Sequence, residues 1–175
     1  LGRDDVDIAI RGGYAPNERV LAIKLMSNRF IPVASPGYLA RMGTPRHPLE
    51  LVDHQGLYFR TPTGPTPWIC EINGQWQKVS APPVAVSNSG RWLADKAIAG
   101  QGILLAPRWS LQHYLQRGQL QELFFDPVVH VTQNTDLAVY LLYQKQRYGV
   151  PKVKVAVDFI VARVQGNALS DLPEA

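Results

Sequence analysis

The stretch that most constrains this chain runs from Pro83 to Pro107, PVAVSNSGRWLADKAIAGQGILLAP. A short apolar run, Val84-Ala85-Val86, ends in Ser87-Asn88-Ser89-Gly90, three helix N-cap residue types followed by a small hinge residue. Trp92, Leu93, Ala97 and Ile98 then recur at helical spacing up to Gly100, and a second apolar run, Ile103-Leu104-Leu105-Ala106, stops at Pro107. Strand, cap, helix, glycine stop and strand predict a right-handed βαβ unit, because two parallel strands need a crossover between them. Ligands of open parallel sheets gather at the carboxyl ends of the strands, beside helix N-termini. The bare N–H groups and the positive end of the helix dipole there favour an anion. One wall of a small-molecule pocket is therefore expected at Ser87, Asn88 and Ser89. Ala106 and Pro107, which close the second strand beside that turn, contribute shape and backbone groups.

At 175 residues the chain is long enough to bury a core, as one domain or two small lobes. An apolar fraction of 46% with 18% charged residues is ordinary for a globular protein. No apolar run approaches the roughly 20 residues needed to span a bilayer, so no membrane segment is expected. The start, LGRDDVDIAIRGG, has no signal-peptide pattern and reads as if cut from a longer protein. The single Cys70 excludes an internal disulfide and fits a reducing, cytoplasmic setting. A net charge of +4 favours anionic partners, but the basic residues are scattered, which argues against a nucleic-acid face built from them.

Along the chain, Asp5 to Ile10 reads as a strand running into a turn at Arg11-Gly12-Gly13 that lets backbone approach a ligand. Val20 to Ser35 holds two strand-like segments with a bend at Ser27-Asn28, and Pro36-Gly37 opens a short helical turn. Gly43 to His54 reads as a loop and a short helix, Gly56 to Phe59 as a strand, and Thr61 to Pro67 as a rigid polar loop. Trp68 to Val79 predicts a hairpin, since Asn73-Gly74 supplies the two positive φ angles of a type I′ turn. After the central unit, Arg108 to Leu123 looks helical with an interruption at Gly118, and Val128 to Val131 and Ala138 to Tyr143 read as strands. Pro151 suits the first position of a closing helix along Val153, Val157, Ile160, Val161 and Val164, although Lys152 to Val157 also alternates like a strand. Gln165 to Ala175 reads as a frayed tail.

Taken in order, these pieces resemble the effector-binding domain of LysR-type bacterial transcriptional regulators. The matching stretches are DVDIAIRGG at 5–13, FIPVASPGYLARMGTPRHPLELVDH at 30–54 and WICEINGQWQKV at 68–79. They continue through VSNSGRWLADKAIAGQGILLAP at 86–107, LQRGQLQEL at 115–123 and AVYLLYQKQRYGVPKVKVAVDFI at 138–160. The resemblance implies an α/β fold like type II periplasmic binding proteins: two α/β lobes joined by two crossover strands, with the effector in the cleft between them. On this sequence the crossings fall near Phe30 to Ser35 and Ala138 to Tyr143. Lobe I takes 1–29 and 140–165, lobe II takes 30–139, and 166–175 is the tail. The family's opening strand, long helix and second strand have no counterpart here, so lobe I is expected to be incomplete and the Val6–Ile10 strand to lack a neighbour, an aggregation-prone edge.

The implied function is sensing of a small, plausibly anionic metabolite, without chemistry, to control transcription. DNA would be bound through an N-terminal helix-turn-helix absent from this chain, and the full-length protein would be a homodimer or tetramer. A transporter's solute-binding protein shares the fold and would need a signal peptide or lipoprotein anchor upstream. An enzyme on the same scaffold is a second alternative.

The candidate effector-binding residues are Arg11, Gly12, Gly13, Ser87, Asn88, Ser89, Ala106 and Pro107. Arg11 can fork a carboxylate, and its competing use is a surface salt bridge to Asp4, Asp5 or Glu18. Gly12 and Gly13 compete as plain turn residues, and the two serines and Asn88 as helix caps. Gly100 and Gly102 read as a C-cap and tight packing, Thr61 and Thr63 as a solvent loop, and Trp68 and Trp76 as packing. His47, His54, His113 and His130 show no metal-ligand spacing, and Cys70 reads as an inert thiol. No G-x-S-x-G elbow, Walker loop or G-x-G-x-x-G is present, so no catalytic residue, metal or cofactor is expected.

Overall fold

The computed structural model describes residues 6–14, 20–144 and 149–169. In chain order the elements are β1 (Ile8–Gly13), β2 (Leu21–Ser27), β3 (Phe30–Ala34), α1 (Pro36–Met42), a 3-10 turn (Pro48–Asp53), β4 (Gly56–Thr61) and β5 (Gly64–Pro65). They continue with β6 (Trp68–Ile72), β7 (Gln75–Val79), β8 (Pro83–Ser87), α2 (Gly90–Ile98), β9 (Ile103–Pro107), α3 (Arg108–Gln116), β10 (Gln121–Glu122), β11 (Ala138–Tyr143) and α4 (Pro151–Leu169). Contacts divide the chain into two units, one of Leu1–Arg29 with Asp136–Ala175 and one of Phe30–Thr135.

The first unit is an antiparallel sheet in the order β1-β11-β2. All six residues of β11 are buried, so the strand reads as a continuous apolar run instead of alternating. Val139, Leu141 and Tyr143 pack with Leu25 beneath Val153 and Val157 of α4, while Ala138, Tyr140 and Leu142 form the core of the other face. Burial of Val153 and Val157 with Ile160, Val161 and Val164 alongside settles that segment as a helix, and it runs on through the start of the expected tail to Leu169. Gly12 and Gly13 do not form the expected turn. They continue β1 and pair with Val139 and Ala138. The expected orphan strand has β11 as a neighbour, and β1 forms an edge of the sheet among the described residues.

The second unit holds a sheet ordered β10-β3-β9-β4-β5, with β8 also paired to β4. β4 runs parallel to both β8 and β9, so the predicted strand–helix–strand unit is present with β4 inserted between its two strands. Leu93, Ala94 and Ala97 of α2 and Leu111 of α3 pack against Ile31, Val33, Leu57 and Leu104 on one face. On the other face Tyr38, Leu51, Tyr58, Trp68, Ile103 and Leu105 belong to a second core that includes the hairpin. Trp92 turns outward, with the Lys96 ammonium 5.0 Å from its ring centroid.

The β6–β7 turn has φ of 53° at Asn73 and 74° at Gly74, as the Asn-Gly pair predicts. Three expectations change. The helix from Arg108 ends at Gln116, before Gly118 at φ 66°, and Gln121–Glu122 pairs with Ala34 and Val33 as β10. Val128 to Val131 makes a single bridge among the described residues, His130 to Ile69. The Thr61–Pro67 loop folds back as a tight hairpin that pairs Arg60 with Pro65.

Candidate functional site

Three parallel strands of the second unit end on one edge: β4 at Thr61, β8 at Ser87 and β9 at Pro107. β8 stays paired with β4 as far as Phe59–Ser87, whereas the β4–β9 ladder stops at Leu57–Leu104. In open α/β sheets, ligands gather at such carboxyl ends of parallel strands. α2 begins beside them. Ser89 is its N-cap, and its hydroxyl oxygen accepts a hydrogen bond from the Trp92 N–H at 3.3 Å. The Ser87 hydroxyl oxygen accepts from the Ser89 N–H at 3.1 Å. Asn88 stands between them, exposed and outside this cap.

This arrangement suits an anion. Neither α2 nor α3 carries an acidic residue in its own first turn, although Glu122 pairs with Arg108 at the start of α3. With Trp92 and Ser89 served by the serines, the N–H groups of Gly90 and Arg91 stay open among the described residues. Ala106 pairs with Ile31 and leans on the α2-side core, while Pro107 caps α3 and its carbonyl accepts from the Ser110 hydroxyl at 2.7 Å. These two residues shape the edge without offering a side-chain donor.

In the first unit, Arg11 is exposed on β1 opposite Tyr140, and its proposed acidic competitors Asp4, Asp5 and Glu18 lie outside the described residues. Gly12 has a packing role the sequence did not reveal. A Cβ there would stand 2.9 Å from the side-chain nitrogen of Asn28, which is buried at 7% exposure. Gly13 takes φ 140°, a conformation that suits glycine.

The remaining polar candidates have structural partners. The Thr61 hydroxyl lies 3.0 Å from that of Thr63 and donates to the Gly64 carbonyl at 2.8 Å. Trp68 stacks on Tyr58 with ring centroids 4.6 Å apart, and Trp76 meets His130 edge-on at 5.6 Å. Gly100 follows α2 at φ 73°, and a Cβ at Gly102 would lie 2.6 Å from the Gln55 carbonyl oxygen. Cys70 is fully buried, and burial pushes its thiol pKa up, which makes it a poor nucleophile. No metal-binding cluster of His, Cys, Asp and Glu occurs among the described residues.

Sequence reading missed a buried polar network behind α1. The Gln55 N–H donates to the Tyr38 hydroxyl oxygen at 2.9 Å, leaving the hydroxyl proton for His54 Nδ1 at 3.1 Å. Burial holds the His54 pKa below its usual value, against the opposing charges of Asp53 and Glu50, and burial raises that of Tyr38. A neutral histidine accepting at Nδ1 is the state this network requires.

The two units and the parallel strands of the second place the chain among α/β domains of the type II periplasmic-binding-protein kind. The family model for the LysR substrate binding domain matches residues 1–165, and the chain belongs to that family. Among its relatives, the HTH-type transcriptional regulator CrgA of Neisseria meningitidis serogroup B is 31% identical over 163 residues, 93% of this chain and 52% of CrgA. The solved CrgA regulatory domain is similar at a TM-score of 0.74 and 28% identity, covering 91% of this chain and 76% of that one. The full-length Vibrio cholerae virulence activator AphB is similar at a TM-score of 0.71 and 25% identity, covering 93% and 54%. The chain spans about half the length of the curated relatives it matches. No helix among the described residues is long and apolar enough to cross a membrane.

Proposed function

We propose that this chain is the effector-sensing domain of a bacterial LysR-type transcriptional regulator and binds a small anionic metabolite at the carboxyl edge of the second unit's sheet. The observation that carries this reading is the serine-capped start of α2, with open N–H groups at Gly90 and Arg91, at the carboxyl ends of the parallel strands β4, β8 and β9. Ser87, Asn88, Ser89, Ala106 and Pro107 are its contacts there, with Asn88 offering the side chain that the cap leaves unused. Arg11, Gly12 and Gly13 are proposed as effector-binding residues on the first unit, Arg11 through a guanidinium that can fork a carboxylate. Lobe I is proposed to take 1–29 and 140–165, lobe II 30–139, with 166–175 as a tail.

In the whole protein, effector binding would favour one arrangement of subunits and so change how an N-terminal helix-turn-helix engages DNA. The shift can be no larger than the effector's differential affinity for the two states. A homodimer or tetramer acting in the cytoplasm, and no catalysis, complete the reading. The relatives that support it are named as transcriptional regulators, not as transporter components.

The test is calorimetric titration of the complete regulator with sulfate, acetate and succinate as probe anions. Asn88→Ala and Arg11→Ala are expected to weaken binding of the preferred probe while leaving the unfolding midpoint in place. Unchanged affinity in both variants overturns the site assignment.

A further inference from the structure

We propose that the second unit carries another ligand site, independent of the one above, that takes a small carboxylate with an apolar body such as an aromatic acid. A cavity of about 380 Å³ opens on the face of β8 away from α2. Its size falls within the range of small-molecule sites, about 300–1,000 Å³.

Tyr58 and Ala81 form its floor. The Tyr58 phenol donates to the Ala81 carbonyl at 2.8 Å, and its ring stacks on Trp68, so the residue is 6% exposed and held in place. Gly56 makes room for that ring: a Cβ there would stand 2.4 Å from Tyr58 Cε2. Pro65, Pro67, Pro82 and Pro83 line the walls. Their fixed φ angles leave little backbone freedom to lose when a ligand arrives. Val52 and Val86 add apolar surface that is 63% and 42% exposed, which an apolar guest would cover.

The charge of the lining decides the class of guest. Lys78 is its one charged side chain, exposed and outside every ion pair among the described residues. No carboxylate lines the cavity to compete for that ammonium. A bare inorganic anion would leave the prolines, valines and tyrosine without a partner, and a neutral hydrocarbon would leave Lys78 unused. An apolar body ending in a carboxylate uses both.

Strand alternation separates this site from the cap. Val86 pairs with Tyr58 and Ser87 with Phe59, so Val86 and Ser87 stand on opposite faces of β8.

Benzoate titration of the chain, followed on the methyl resonances of Val52 and Val86 and the Trp68 indole, tests the proposal. Saturable shifts are expected at these groups. Lys78→Met, which keeps the apolar stem and removes the charge, is expected to weaken benzoate about tenfold while leaving benzyl alcohol unchanged. Asn88→Ala is expected to leave benzoate binding intact, which separates failure here from failure of the anion site above. Lys78→Met protein that binds benzoate as tightly as wild type overturns the proposal. So do shifts confined to the amides of Ser87–Arg91, or their absence through the millimolar range.

Discussion

Replacing Ser89 by Ala, Gly and Asp separates the folding role of the α2 cap from its role toward an anion. The Ser89 hydroxyl oxygen accepts from the Trp92 N–H at 3.3 Å, and the first turn of α2 carries no acidic group. Ser89→Ala removes the bond and costs about 1 kcal/mol, whereas Ser89→Gly costs only a few tenths. With a urea slope of about 1–3 kcal/mol per molar, the alanine midpoint drops by roughly 0.3–1 M. Ser89→Asp keeps an acceptor at the cap and adds a negative charge at the positive helix end, worth about 0.3–1 kcal/mol, so stability stays at or above wild type. Toward an anion on the Gly90 and Arg91 N–H groups, the same carboxylate is a like charge. At a separation of about 5 Å it repels by about 0.8 kcal/mol in a water-like dielectric and about 3 kcal/mol at an effective dielectric of 20. Affinity should therefore fall between about fourfold and a few hundredfold. Urea unfolding gives the first quantity, and succinate-dependent amide shifts of Gly90 and Arg91 give the second. An aspartate variant that binds succinate like wild type, or one less stable than the alanine variant, refutes the reasoning.

Two further outcomes test the packing around the site. Burial lowers the His54 pKa, so the unfolded chain takes up the proton first. That contribution to stability is fully present above the ordinary pKa of about 6.5 and drains as the pH falls from there through the lower folded-state value. His54→Gln keeps an acceptor for Tyr38 and is expected to flatten the loss between about pH 7.5 and pH 5, and an unchanged slope in urea unfolding refutes this. Gly102→Ala places a methyl 2.6 Å from the Gln55 carbonyl, the group that accepts from the Ile103 N–H at 2.8 Å, and is expected to cost about 1–3 kcal/mol. Gly37→Ala, with nothing within 4 Å of its Cβ, serves as the control, and equal unfolding midpoints for the two variants would sink the packing argument.

Features whose cause lies within a few residues were legible in the sequence. Asn73-Gly74 dictates its own turn, Pro36 opens α1, and Pro151 starts α4. What escaped depends on distant partners. Gly12-Gly13 looks like a turn until β11 arrives to pair with it, and Gln121–Glu122 becomes a strand only because β3 offers an edge. The Tyr38–His54 pair joins a helix to the end of a 3-10 turn, and a lone histidine in a proline-rich loop gave no sign of burial.

At the candidate site the limit is finer. Three consecutive cap-type residues, Ser87, Asn88 and Ser89, look equivalent in sequence, since each side chain can accept from a helix N–H. The backbone path distinguishes them. Ser87 and Ser89 turn their hydroxyls into the cap, one onto the Ser89 N–H and the other onto the Trp92 N–H. Those two hydrogen bonds fix the direction of the next open N–H groups, so at the proposed site the serines act through the backbone they hold as well as through their own contacts. Asn88 is left with its amide uncommitted to the cap, and an amide that both donates and accepts can tell one small anion from another. On this argument selectivity among effectors should follow residue 88, and the geometry that admits any anion should follow residues 87 and 89.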